Sequence, residues 1–168
     1  MVQYRRNFVP GGTFFFTLTL RDRRHTLLTA HSDELRDAMR ATNALNPWTT
    51  DAIVVLPDHM HMIWTMPDGD SGYAQRIRML KARFTSTLRD TGRWTATESP
   101  WQARYWEHTI RDDHDLENHV AYVHYNPVKH GFAKAVADWP HSSFHRYVRD
   151  GLVPVDWAGG AEIDVGER

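Results

Sequence analysis

Between Thr13 and Leu20 the residues fall into two alternating rows, with Phe14, Phe16, Leu18 and Leu20 on one side and Phe15, Thr17 and Thr19 on the other. That two-residue period predicts a strand, and Gly11-Gly12 marks the turn before it. Ser32 can cap a helix whose first turn carries Asp33 and Glu34 and whose Leu35, Ala38, Met39 and Leu45 recur near helical spacing until Asn46-Pro47 stops it. Residues 51–56 and 59–66 read as strand material interrupted at Pro57 by a bend or bulge. Ile77, Leu80, Phe84 and Leu88 form the apolar stripe of a helix from about Tyr73 to Leu88. Residues 92–100 are a loop, and 105–110 a further strand. Asp112 or Asp113 then opens a helix with Leu116, Val120 and Val123 on its core side.

Two polar patterns stand out against this framework. His59 and His61 are two residues apart on a strand and therefore share a face with Ile63 and Thr65, while Met60, Met62 and Trp64 take the core-facing side. Neutral imidazole is the commonest protein metal ligand, so the pair predicts a divalent metal site, against the plainer reading of polar residues on a half-exposed strand. On the last helix Asp115, His119, Tyr122 and Asn126 are separated by four, three and four positions and line a second stripe. Tyr125 falls nearly opposite the core stripe, which favours Tyr122 for a role near the sheet. Asn126 could present its carbonyl oxygen to a metal on the two histidines, although Pro127 biases it away from helical dihedrals and predicts a kink or pause there.

The composition narrows the classes. The 168 residues suit one domain, residues 1–168, with a C-terminal tail from about 148. Without cysteine there is neither a disulfide framework nor a thiolate ligand or nucleophile. No stretch approaches the roughly 20 apolar residues of a membrane span and the start lacks a signal-peptide core, so no membrane role and a cytoplasmic location are expected. The formal net charge of -1 means that nucleic acid would have to be held by local basic clusters. Those clusters are Arg5 and Arg6 before the first strand, Arg21, Arg23 and Arg24 after it, and Arg76, Arg78, Lys81 and Arg83 on the helix from about Tyr73 to Leu88. Trp101, Tyr105 and Trp106 are either core residues or stacking platforms for unpaired bases.

Three segments together carry a resemblance: 54–64 (VVLPDHMHMIW), 101–108 (WQARYWEH) and 122–131 (YVHYNPVKHG). With Gly11-Gly12, Asp138-Trp139-Pro140 and Asp156-Trp157-Ala158-Gly159, they make the chain similar over nearly its whole length to the REP-associated tyrosine transposases, single-tyrosine HUH nucleases. The resemblance implies an α+β fold, a central antiparallel sheet flanked by helices in the ferredoxin-like HUH nuclease arrangement. It implies single-stranded DNA with REP (repetitive extragenic palindrome) hairpins as partner, His59 and His61 as the metal pair, Tyr122 as nucleophile and Asn126 as the assisting polar residue. The implied reaction passes through a 5′-phosphotyrosine and needs Mg²⁺ or Mn²⁺; two imidazoles shift the preference toward Mn²⁺. A monomer is expected. Two other readings remain open at this point: a water-using metal phosphodiesterase with His119 or Asp115 as further ligands, and a hairpin-binding protein without activity. The 156–159 segment either folds back toward the site or packs one tryptophan on the surface.

Overall fold

The two-residue alternation of the first apolar run forms strand β1 (Thr13–Thr19), and the interrupted apolar run forms β2 (Thr49–Val55) and β3 (His59–Thr65). In the computed structural model, which describes residues 6–160, 163, 165 and 166, these strands join β4 (Trp106–Thr109) in an antiparallel sheet of order β2-β3-β1-β4. Helices α1 (Leu27–Ala30) and α2 (Ser32–Leu45) connect β1 to β2, and α3 (Tyr73–Asp90) connects β3 to β4. The order β-α-β-β-α-β with β1 and β3 central is the split βαβ, ferredoxin-like arrangement that the sequence implied. Beyond it the chain adds α4 (Asp113–Lys129), a 3₁₀ turn (Val136–Asp138) and α5 (Phe144–Arg149).

Strand pleating divides the apolar residues between two cores. On one face Phe14, Phe16, Leu18, Met60, Met62 and Trp64 pack against Leu35 and Ala38 of α2 and Ile77, Leu80, Phe84 and Leu88 of α3. On the other, Phe15, Ala52, Val54, Leu56 and Ile63 pack against Tyr122 and Val123 of α4, with Leu116, Val120, Ile163 and Val165 at the margin. Because α4 covers this second face, every residue of β3 from His59 to Trp64 is buried. The histidines lie inside the protein, beneath a helix, and not on a half-exposed face.

Several boundaries depart from the pattern. The short α1 ends at His31, so α2 starts at Ser32 itself without a side-chain cap, and Thr42 rather than the exposed Leu45 completes its buried stripe. Pro57-Asp58 form the β2–β3 turn, closed by Leu56 N–H donating to the His59 carbonyl, while the register shift falls at Asp51 between Thr50 and Ala52. β4 begins at Trp106, one residue later than the apolar run suggests. α5 occupies the region just ahead of the expected tail. Trp101 is core, buried against Phe84, whereas Tyr105 and Trp106 are partly exposed at the two cores' edges.

One buried contact predicts how the fold responds to acid. His124 of α4 pairs through Nε2 with Ser143 Oγ at 2.9 Å, and Ser143 Oγ accepts the Ile53 N–H, tying α4, α5 and the β2 edge together. Burial, then the charges of Arg146 and His145, lowers its pKa from the ordinary 6.5 to about 4. An imidazole that must stay neutral when folded makes stability fall as pH drops from 6.5 toward 4, by about 1.4 kcal/mol per pH unit at most. Thermal melts between pH 7 and 4.5 should therefore steepen downward in wild type and run flatter in His124→Gln. Parallel slopes would remove His124 from the acid response.

Candidate functional site

The centre of the second face is built from two imidazoles, each held by one nitrogen. His61 is 2 % exposed and its Nδ1 lies 2.8 Å from Thr17 Oγ1 on the neighbouring strand, the residue directly opposite it in the ladder. His59 Nδ1 lies 2.8 Å from Asp58 Oδ1, and Arg23 Nε donates to Asp58 Oδ2 at 2.6 Å. Burial raises the Asp58 carboxyl, but the hydrogen bonds from His59 and Arg23 outweigh it and hold the group below the ordinary range, ionised. The Asp58 carboxylate can only accept, so His59 donates through Nδ1 and presents Nε2 as a lone-pair donor; His61 presents Nε2 in the same way in the tautomer that donates Nδ1–H to Thr17, the orientation that outer partners impose on metal-binding histidines. The rings stand 5.0 Å apart at 82°. Asp58 and Thr17 were not singled out by the sequence reading; Thr17 could have been found from its place in the alternating row of β1.

Helix α4 brings the remaining groups over this pair. Asp112 caps it by accepting the Asp115 N–H, and it continues unbroken through Pro127 to Lys129, so the expected pause at Asn126 does not occur. Tyr122 is 6 % exposed; its ring lies 5.3 Å from the His61 ring at 70° and 5.9 Å from Phe15. Asn126 is fully buried beside His61, and among the described residues its Oδ1 and Nδ2 meet no hydrogen-bond partner within ordinary bonding distance. A buried amide left without full hydrogen bonding is costly, and this one adjoins His61, where its hydrogen-bonding influence favours the protonated ring. Against it, burial first and then the charges of His59, His130 and Lys129 push the His61 pKa well below the ordinary value, so the ring stays neutral. Two oriented Nε2 atoms with an unsatisfied amide oxygen make a donor set that fits a divalent cation.

Tyr125 turns away, toward the C-terminal segment. Gly159 crosses it so closely that a Cβ there would fall 3.0 Å from the Tyr125 ring, and its φ of +84° also favours glycine. Trp157 lies 6.0 Å from Phe144. The 156–159 segment thus packs on Tyr125 and α5, and Ile163 and Val165 beyond it reach the apolar cluster that contains Tyr122.

The predicted basic residues divide into separate places. Arg23 lies at the rim of the histidine pair through Asp58. Arg21 pairs with Glu98, and Arg24 with Asp22, both in solvent. Arg76 is a correction: at 4 % exposure it spends its guanidinium on Asp70 and on the carbonyls of Asn46, Pro47 and Gly72, bracing the start of α3 and offering no charge to a ligand. Arg78 and Lys81 line an open groove of about 550 Å³ with Arg89 and Tyr105. Arg6 lies with its guanidinium 3.8 Å from the Tyr105 ring, and burial followed by the Arg6 charge lowers the Lys81 pKa to about 8. Arg83 is half-buried on the same helix, and Arg5 lies outside the described residues. Lys129 and His130, to which the sequence analysis gave no role, stand beside the site: the His130 ring is 5.1 Å from His59 and Lys129 Nζ is 4.8 Å from the centre of the Tyr122 ring. Their position in the last turn of the Tyr122 helix was the available signal.

A second group could hold a metal ion: ligand atoms of His108, Asp115 and His119 lie within 4.8 Å of one another. The ring of Phe15, 5.6 Å from His61 and 5.0 Å from His119, separates it from the histidine pair, so His119 and Asp115 do not complete one site with His59 and His61. Here the imidazoles stack 4.5 Å apart at 10°, which sends their in-plane lone pairs parallel and not toward a common point. Asp115 is already engaged by His108 Nε2 at 2.8 Å and the Arg111 backbone N–H at 2.9 Å, contacts that overcome burial and lower its pKa to about 2. In this arrangement the group is a hydrogen-bonded anchor of α4 on β4. Holding a cation would require the rings to turn.

Comparison with known proteins agrees with the fold. Residues 12–126 match the family model described as Transposase IS200 like. A REP-associated tyrosine transposase of Escherichia coli strain K12 is 46% identical over 169 residues, covering 100% of this chain and 98% of that protein. A solved structure of a REP-associated tyrosine transposase bound to a REP hairpin superposes with a TM-score of 0.89 at 46% identity, covering 100% of this chain and 98% of that one.

Proposed function

Because the chain belongs to the IS200-like transposases, and within them to the REP-associated tyrosine transposases, we propose that it cleaves and rejoins single-stranded DNA at REP hairpins through Tyr122. The observation that carries this reading is one cluster on one sheet face: two Nδ1-anchored imidazoles, the Tyr122 ring 5.3 Å from one of them, and the buried amide of Asn126 alongside. The similar protein solved with a REP hairpin supports the substrate class.

His59, His61 and Asn126 would hold Mg²⁺ or Mn²⁺, which when bound polarises the scissile phosphate and stabilises the charge that develops on it. The protein's own residues do the rest. Phe15 and His61 flank the Tyr122 ring and hold it in place, an orientation that a weakly nucleophilic phenol needs. The Tyr122 oxygen bonds to phosphorus as the bond to the 3′-oxygen breaks, leaving a 5′-phosphotyrosine and a free 3′-hydroxyl. The ester keeps the bond energy, so a second 3′-hydroxyl can attack it and restore a DNA strand. Asp58, which can only accept, keeps the proton on Nδ1 of His59, and Thr17 orients the His61 ring throughout. Arg23 at the rim, and Arg6, Arg78 and Lys81 along the α3 groove, would take backbone phosphates, and the reading assigns the work to a monomer.

The test is incubation with an end-labelled single-stranded REP hairpin and Mn²⁺, followed by denaturing electrophoresis. A labelled protein band of retarded mobility is the expected result. Multiple turnover with no covalent band would favour hydrolysis by water, and tight binding with neither product would favour a purely DNA-binding role.

A further inference from the structure

The geometry points to Lys129 as a further catalytic residue, whose ammonium holds the negative charge that gathers on the Tyr122 oxygen and the attacked phosphate. This rests on Tyr122 being the nucleophile. Lys129 follows Tyr122 by seven positions on one unbroken helix, and two helical turns return it to nearly the same face. Its Nζ lies 4.8 Å from the centre of the Tyr122 ring, and no carboxylate among the described residues pairs with it. Arg21, Arg23 and Arg24 each pair with a carboxylate, whereas this exposed cation lies over the ring of Tyr122. Its charge also reaches the neighbouring rings, disfavouring protonation of His61 and His130.

The consequence is a difference between ground and transition states. Before reaction the ammonium meets only the weakly negative face of a neutral ring. As the new bond to phosphorus forms and the bond to the 3′-oxygen breaks, the phenol releases its proton to solvent, the 3′-oxygen gains one from solvent, and anionic oxygen gathers beside Nζ. The lysine keeps its own proton. An interaction that is weak at the start and strong at the crest accelerates the chemical step more than it tightens DNA binding.

Single-turnover formation of the covalent adduct, with saturating hairpin and Mn²⁺, should fall about 10- to 100-fold in Lys129→Met and recover most of the loss in Lys129→Arg. Hairpin affinity, measured without cleavage in a Tyr122→Phe background, should change less than about threefold on adding Lys129→Met, since one exposed cation is a small part of a phosphate interface. An affinity loss with an unchanged saturating rate would make Lys129 a simple phosphate contact and overturn the proposal. An unchanged rate and affinity would overturn it equally, and so would failure of arginine to rescue. A covalent band that survives Tyr122→Phe alone would instead sink the nucleophile assignment, which separates the two failures.

Discussion

Tyr122→Phe should abolish the covalent protein–DNA band, lowering strand cleavage at least about 10³-fold, because it removes the oxygen assigned to form the phosphate ester. The substitution removes one oxygen and keeps the ring that packs on Phe15 and His61, so the fold and hairpin binding should persist. Tyr125→Phe is the matched control. Its ring lies under Gly159 on another face of the helix, and the loss should be less than about threefold, as for a surface change away from the chemistry. Denaturing electrophoresis of both variants with the same labelled hairpin checks the pair of expectations. Equal bands in wild type and Tyr122→Phe would end the assignment.

The second large effect concerns the imidazoles. His61→Ala should remove high-affinity Mn²⁺ binding, seen by calorimetry on the DNA-free protein, and with it about 10²- to 10⁴-fold of the cleavage rate. Asp58→Asn leaves both rings but weakens the acceptor that orients His59, so a milder loss of about 10- to 100-fold in metal affinity is expected. Chelation of the wild-type protein with EDTA should reproduce the His61→Ala phenotype, and Mn²⁺ should restore activity only to the wild type. Full-rate cleavage in EDTA would refute the metal role. Because burial keeps His61 neutral well below the ordinary imidazole range, that ring should remain a competent ligand into mildly acidic solution.

Much of this was legible because periodicity reports on faces. The two-residue spacing of His59 and His61, and the four-three-four spacing of Asp115, His119, Tyr122 and Asn126, placed each group on the correct side of its element without any knowledge of what lay opposite. What they could not report was the partner. Spacing alone could not separate the stripe into the Tyr122–Asn126 half that meets His61 and the Asp115–His119 half that meets His108, since the Phe15 ring between them comes from another strand. The same limit explains Arg76, which shares a helix with Arg78 and Lys81 but turns its guanidinium onto carbonyls of a distant loop. Pro127 misled in the opposite direction. A local preference against helix at Asn126 was overridden by the packing of α4 on the sheet, and Lys129 and His130 reach the site only because the helix runs on.

The placement of phenol, amide and imidazoles within one chain has a consequence for mixtures. His61 and Tyr122 meet across a single sheet–helix interface of one chain, which is what the proposed reading of a self-contained protomer requires. Blending a His61→Ala protein with a Tyr122→Phe protein should therefore yield no more adduct than either alone, at any ratio, and wild-type yield per molecule should not depend on how concentrated the protein is. Restored cleavage in the blend would mean that nucleophile and imidazole are drawn from different chains, with α4 leaving its own sheet to serve another.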